Sequence, residues 1–273
     1  MRIISICPSN TEMVEFLGLT EHLIGVDDYS DWPPEVDHLP NLGPDLSIDM
    51  DKVEALKPDL VLASLSVPGM EKNVEKLKER NIPYIVTNPQ SLSEIGESVK
   101  EMGRICGVPE RGVQAAEVYK EQLEQFRSAA SRIEERPSLY WEWWPKPVFA
   151  PGQVNWLTEI SELAGAHNLF ADRKTANVQS DWEEVKGKNP DYILLSWVGV
   201  PIEKIQPSSV LKRPGWSELP AVKQGRVHVM EEHLFCRPSL RLVAGLHKLA
   251  NLIHPHAFQS IQLDPFFEKS RSS

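Results

Sequence analysis

Fourteen residues of this chain occur twice in related form, as DKVEALKPDLVLAS at 51–64 and as EEVKGKNPDYILLS at 183–196. Five of the fourteen positions are identical, among them Val53/Val185, Pro58/Pro190 and Asp59/Asp191, and each copy opens on an acidic residue. Such a repeat implies two similar halves. Two similar lobes leave a cleft between them, and a cleft is where a small molecule can be held.

At 273 residues the chain has room for one large domain or two of about 100 to 150 residues, each with its own core. A net charge of −10, with no run of Lys and Arg to follow a phosphate backbone, argues against nucleic acid and against an anionic membrane surface as partners. Cys7, Cys106 and Cys236 are odd in number and widely spaced, so they make neither a disulfide framework nor a zinc knuckle, and Cys7 and Cys106 read as small core residues. No run approaches the roughly 18 apolar residues of a membrane helix. Met1 and Arg2 lead straight into Ile3-Ile4-Ser5-Ile6 without a basic segment, an apolar segment or a cleavage site. As given, the chain is therefore expected in the cytoplasm; an extracytoplasmic, periplasmic or lipid-anchored site would follow if a leader is missing. Only the polar tail after Phe267 reads as disordered.

Strand and helix patterns alternate throughout. In the first half, short β-branched runs at Arg2 to Ile6, Leu23 to Val26, Asp59 to Ala63 and Tyr84 to Thr87 alternate with helical patterns at Thr11 to Leu17, Met50 to Leu56, Met70 to Arg80 and Ser93 to Cys106. The second half repeats this, with strands at Ser138 to Trp143, Asn168 to Phe170, Tyr192 to Leu195 and Val227 to Met230, and helices at Trp156 to Ala164, Trp182 to Lys186 and Ser239 to Ile253. Alternation of this kind predicts an α/β fold with parallel sheets covered on both faces. Gly18 and Gly165 each follow the first helix of their half, where a left-handed cap is needed. Asp49 can cap its own helix, and Ser180 and Glu183 have the spacing of a capping box. Pro58 and Pro190 should end the two repeated helices by pushing the preceding residue into an extended conformation.

Between the halves, Glu110 to Glu134 has no proline, and no glycine after Gly112. Its apolar residues Ala116, Tyr119, Leu123, Phe126, Ala130 and Ile133 step by three or four, giving one stripe along a long helix. Lobes joined by such a helix should hinge little.

Four segments carry a family resemblance: Ser5-Ile6-Cys7-Pro8-Ser9-Asn10-Thr11-Glu12; Gly25-Val26-Asp27-Asp28-Tyr29-Ser30-Asp31-Trp32-Pro33-Pro34; Val53-Glu54-Ala55-Leu56-Lys57-Pro58-Asp59-Leu60-Val61; and Arg237 to Arg241. In this order and spacing they make the chain resemble the ABC-transporter solute-binding proteins for cobalamin and ferric siderophores, over nearly all of its length from Arg2 to about Ile253. The resemblance implies two Rossmann-like lobes with parallel sheets, bridged by one long α-helix, the class III solute-binding architecture. It divides the chain into a lobe at 1–108, a linking helix at 109–136 and a second lobe at 137–273. The Tyr-Ser-Asp-x-Pro-Pro motif is nearest to the cobalamin-binding branch.

The resemblance further implies particular residues. Tyr29 takes the place of a tyrosine that lies against the ligand, Trp143 that of an aromatic at the end of the first strand of the second lobe, and Arg237 that of an arginine on the loop before the last helix. His233 falls where cobalamin binders make a polar ligand contact; it is either that, or an axial ligand to cobalt or haem iron, or an ordinary loop histidine. Asp51 and Glu183 match the carboxylates that dock onto arginines of an ABC permease dimer, although helix capping would also account for them. The chain departs from the pattern at Asp45, Ser64 and Asn177, where cobalamin binders place cleft tryptophans. By the family pattern it acts as a monomer.

The aromatic cluster needs separate weighing. Tyr140, Trp141, Trp143, Trp144 and Trp156 fall within seventeen residues. Burying a tryptophan removes up to about 250 Å² from water, worth up to roughly 6 kcal/mol, so Trp141 and Trp156 are assigned to the core. Trp143 and Trp144 stand where their strand runs out toward the ligand edge of an open sheet, and Trp197 ends another strand in the same way. They are candidate walls for a flat macrocycle. Arg237 offers a planar fork suited to a phosphate or propionate, or to a surface salt bridge. His228, Glu231, Glu232 and His233 match no zinc-binding spacing, and no intrinsic metal or cofactor is expected.

No nucleotide-binding glycine loop, nucleophile elbow or Cys-x-x-Cys motif is present, and no catalytic residue is assigned. The function expected is a non-enzymatic solute-binding component of an ABC-type uptake system, holding a cobalamin-like corrinoid, haem or ferric siderophore between the lobes. A cytoplasmic corrinoid or tetrapyrrole carrier, sensor or processing enzyme on the same fold is the alternative.

Overall fold

The structure is a computed structural model and describes residues 1–267, so the polar tail after Phe267 lies outside the described residues. The first half forms strands β1 (Ile3–Ser5), β2 (Leu23–Val26), β3 (Leu60–Ser64) and β4 (Tyr84–Thr87), with helices α1 (Pro8–Phe16), α2 (Met50–Ala55), α3 (Glu71–Glu79) and α4 (Leu92–Ile105). After the long helix α5 (Pro109–Ala130), the second half supplies β5 (Ser138–Glu142), β6 (Trp144–Pro145), β7 (Val148–Pro151), β8 (His167–Asn168), β9 (Asn177–Ser180), β10 (Tyr192–Leu195) and β11 (Val227–Val229). Its helices are α6 (Trp156–Leu163), α7 (Trp182–Lys188), α8 (Pro220–Lys223), α9 (Glu232–Phe235), α10 (Leu242–Ile253) and α11 (Pro255–Phe258).

The two parallel sheets have the same plan. One has the order β2-β1-β3-β4 and the other, read in the matching direction, β8-β5-β10-β11. In each lobe the first strand therefore lies between the second and the one that follows the repeated helix. That pairing explains the repeated residues. Asp59 accepts a hydrogen bond from the Arg2 backbone N–H at 2.7 Å, and Asp191 accepts one from the Ser138 N–H at 2.8 Å, so each repeated aspartate pins the start of the strand beside it. Val53 and Val185 are both fully buried beneath their sheets.

Two local expectations are corrected. Pro58 and Pro190 follow residues in the left-handed region, Lys57 and Asn189 both at φ 47°, and not residues in an extended conformation. The proline still excludes the helical state from its predecessor, but each chain turns sharply before its strand. Ser180 is not the cap of α7 either. Asp181 caps it, accepting from the N–H groups of Glu183 and Glu184 at 2.9 Å, while the Ser180 hydroxyl donates to Glu184. Asp49 caps α2 as expected, and Gly18 and Gly165 are left-handed.

The linking helix is 22 residues long, about 33 Å at 1.5 Å per residue. It ends at Ala130, short of the expected Glu134, and the chain then turns. Tyr119, Leu123, Phe126 and Ala130 are buried along one stripe, and they join a core that also takes in Met13 and Val14 of the first lobe and Trp141 and Leu246 of the second. Helix α4 packs on this helix so closely that a Cβ on Gly103 would sit 2.8 Å from the Gly112 Cα, so both glycines are required there. Behind the sheets, the Glu159 carboxylate of α6 accepts from the Leu92 N–H at the start of α4 at 2.5 Å, tying one lobe to the other. Phe266 and Phe267 cross back to pack on Phe16 of the first lobe, and Gln122 of the linking helix bonds the same segment through Asp264 and Gln262.

A three-stranded antiparallel sheet, β6-β7-β9, was not anticipated. Its strands are short and broken by Pro145, Pro147 and Pro151, and β9 reads Asn-Val-Gln-Ser, which carries little strand signal. Among the described residues no helix is long and apolar enough to cross a membrane.

Candidate functional site

In a parallel α/β sheet the loops leaving the carboxyl ends of the strands form the ligand edge. Every sequence-predicted ligand residue lies on such a loop or the segment just beyond it: Tyr29 after β2, Trp143 and Trp144 after β5, Trp197 after β10, and His233 and Arg237 after β11. The two edges meet through direct bonds. Glu12 on α1 is fully buried and takes up the Ser239 hydroxyl, Arg241 Nη1 at 2.9 Å and Arg237 Nη1 at 3.3 Å, all from the other lobe. Asp31 adds a contact of 2.6 Å to Arg237 Nη1, and Glu232 holds its Nη2 at 3.0 Å. The Arg241 guanidinium also lies over the Trp32 ring, 4.6 Å from its centre.

The turn that carries Tyr29 is built on buried Asp27, which accepts from the Tyr29 N–H at 2.9 Å and the Ser30 hydroxyl at 2.6 Å. Burial pushes the Asp27 carboxyl up to about 6, against these two hydrogen bonds. Tyr29 itself is 48% exposed, two residues from the partner of Arg237. His233 sits in the same locus. Burial, helped by Arg241 and Arg237, lowers its imidazole to about 4, so it is neutral near pH 7 with a lone pair available. For Arg237, burial works against the charge, yet Glu232, Glu12 and Asp31 outweigh it and raise its pKa. Burial also pushes Glu12 upward, while the two arginines and Ser239 pull the other way.

On the facing lobe, Trp144 is 42% exposed. Trp143 is partly buried against the main core, with its indole N–H directed at the Cys236 thiol. Trp197 is tied down: its indole N–H donates to Glu142 at 3.0 Å. Glu142 in turn forms a fully buried bidentate pair with Arg213, both contacts at 2.6 Å, and accepts from the Tyr140 hydroxyl. Trp141 and Trp156 are core residues. At the three positions that depart from the family pattern, Asp45 is half-buried, Ser64 is buried and donates to Ser66, and Asn177 is exposed at the start of β9.

Sequence reasoning missed the interlobe clamp of Glu12, Asp31, Ser239 and Arg241, although Glu12 and Asp31 stand inside the motifs that carry the resemblance. It also missed Leu46, Leu65 and Val198, which with Tyr29 and Trp144 leave apolar side chains of both lobes more than a third exposed beside the strand ends. The available signal was position: Leu65 directly follows β3 and Val198 lies three residues after β10.

Asp51 and Glu183 occupy equivalent first turns, in α2 before β3 and in α7 before β10, and both are exposed. Each has a cation of its own, Arg80 for Asp51 and Lys186 for Glu183, at 2.6 Å. A separate groove of about 560 Å³ lies between α4, α5 and α6, lined by Leu92, Gly96, Tyr119, Leu123, Glu159 and Leu163 among others. None of the strand-end residues named above lines it.

The chain and its fold match known proteins. The periplasmic binding protein profile matches residues 3–234. An uncharacterized ABC transporter substrate-binding lipoprotein of Bacillus subtilis strain 168, YvrC, is 33% identical over 263 residues, covering 94% of this chain and 81% of that protein. The crystal structure of the periplasmic vitamin B12 binding protein BtuF of Vibrio cholerae superposes with a TM-score of 0.77 at 26% identity, covering 92% of this chain and 95% of that one. The apo periplasmic heme-binding protein RhuT of Roseiflexus sp. RS-1 shares the fold, with a TM-score of 0.81 at 24% identity over 94% of this chain and 98% of that one.

Proposed function

The chain belongs to the periplasmic binding protein family, a family of binding proteins and not of enzymes, and from that premise we propose that it captures a cobalamin-like corrinoid in the gap between its lobes. The observation that carries this reading is the set of exposed apolar side chains on the strand-end loops of both lobes, Tyr29, Leu46 and Leu65 from one and Trp144 and Val198 from the other. Exposed apolar surface gathered at a ligand edge is suited to a broad macrocycle face. The similarity to vitamin B12-binding proteins supports the same ligand class. The roles of Trp143 and Trp197 are to present and steady this wall. A second reading, haem bound through His233, draws on the neutral imidazole.

The partner proposed is an ABC permease that meets Asp51 and Glu183. The relatives are periplasmic proteins or lipoproteins, which supports an extracytoplasmic site of action. The cytoplasmic site expected from the first residues draws no such support.

Titration with cyanocobalamin, haemin and a ferric hydroxamate, followed by tryptophan quenching, tests the ligand. Cyanocobalamin should bind, and Tyr29→Ala and Trp143→Ala should each weaken it at least tenfold, about 1.4 kcal/mol, with unchanged far-UV circular dichroism. Wild-type affinity in both variants would remove these residues from the site.

A further inference from the structure

The facing edges carry an unequal charge inventory. Glu12, Asp27, Asp31 and Asp45 stand on one lobe and Glu232 on the other, against Arg237 and Arg241. Burial, with the Glu232 charge across the gap, raises the Asp45 carboxyl against a hydrogen bond from the Leu46 N–H and the Arg237 charge. Arg237 is the cation that the family resemblance offers to a ligand. A guanidinium has five N–H donors. In this chain its nitrogens make five contacts with the protein's own carboxylates: Nε to Glu232 at 3.1 Å, Nη1 to Asp31 at 2.6 Å and to Glu12 at 3.3 Å, and Nη2 to Glu232 at 3.0 Å and to Asp31 at 3.5 Å. Four of these are hydrogen bonds and the Nη2–Glu232 contact is an ion pair, so every nitrogen of the fork already faces a carboxylate of the protein itself.

Of the three acids, Glu12 is buried and committed to three partners. Asp31 differs. Its side chain is 46% exposed and belongs to the same strand-end loop as Tyr29, two residues beyond it. We propose that Asp31 is a specificity-determining residue: its carboxylate fills the Arg237 fork in place of a ligand carboxylate. The gap then takes a macrocycle edged by neutral amides and refuses one with free carboxylates such as haem propionates. The inference rests on the ligand reading given above. Burial opposes ionisation of Asp31, but Arg237 lowers its pKa, so at neutral pH the occupying group is charged. A second carboxylate brought to the same fork would meet like charge and a loss of hydration.

The test is a pair of absorbance titrations, with cyanocobalamin and with haemin, on the wild-type chain and on Asp31→Ala, at one fixed ionic strength. Wild type should bind haemin at least tenfold more weakly than cyanocobalamin. Asp31→Ala should raise the ratio of haemin to cyanocobalamin affinity at least tenfold, Asp31→Asn should move it the same way, and the gain should vanish with the dimethyl ester of haemin. A ratio that stays constant or falls, with cyanocobalamin still bound by wild type, overturns the role of Asp31 and leaves the ligand reading intact. Wild type that binds neither compound overturns both.

Discussion

Replacing Glu12 with alanine should lower the free energy of unfolding by about 3 to 5 kcal/mol, read as a shift of the urea midpoint at unchanged slope. The carboxylate is fully buried and is the acceptor shared by Ser239, Arg237 and Arg241. Without it, Arg241 loses the carboxylate it bonds, and two guanidiniums are left close together on one side of a largely buried contact. Arg237 keeps Asp31 and Glu232, which places the expected loss toward the lower end of that range. Glu12→Gln retains an acceptor oxygen and should cost less than Glu12→Ala. Because α1 belongs to one lobe and residues 237–241 to the other, the variant should also open the gap, raising amide exchange on both sides of it. A loss below about 1 kcal/mol would mean that the clamp contributes no more than an exposed ion pair.

Reversing both acids proposed to meet the permease, Asp51→Lys with Glu183→Lys, should abolish ligand uptake through it while ligand affinity stays at the wild-type value. The two side chains are 85% and 67% exposed, and each already holds an intramolecular cation. The proposed docking onto permease arginines would therefore exchange one exposed ion pair for another, each worth about 0 to 1 kcal/mol, so the acids would steer more than they hold. Reversal acts differently. It sets lysine against arginine, a juxtaposition that costs several kcal/mol, and it leaves Lys186 without its acid and Arg80 with Glu54 alone. Association should weaken by about a hundredfold or more on that scale. Uptake at the wild-type rate would remove both residues from the interface.

Much of the scaffold was legible because its strands are apolar or β-branched runs, the inner ones buried on both faces. Leu23–Val26, Tyr84–Thr87 and Tyr192–Leu195 fall where the β-branched and apolar runs predict them. Of the repeated Pro-Asp, the proline was legible as the end of a helix, whereas the aspartate's bond to the neighbouring strand depends on a pairing that the sequence does not display. The small antiparallel sheet was not, because Asn177–Ser180 is polar and the β6–β7 hairpin is crowded with proline. At the site, the exposure of Tyr29 and Trp144 follows from their place at strand ends. The state of Arg237 does not. Its partners Glu12 and Asp31 lie 225 and 206 residues away, and only the closed arrangement of the two lobes brings them to it. An arginine that reads as a ligand fork or a surface ion pair in one dimension is held by three carboxylates in three.

Hydrogen–deuterium exchange, with and without saturating cyanocobalamin, tests the location of the site most directly. Protection is predicted in the strand-end segments of both lobes together, around 27–31 and 64–66 in the first and around 143–144, 196–198 and 231–237 in the second. Protection confined to one lobe, or to the groove between α4, α5 and α6, would contradict a ligand held between the two sheets.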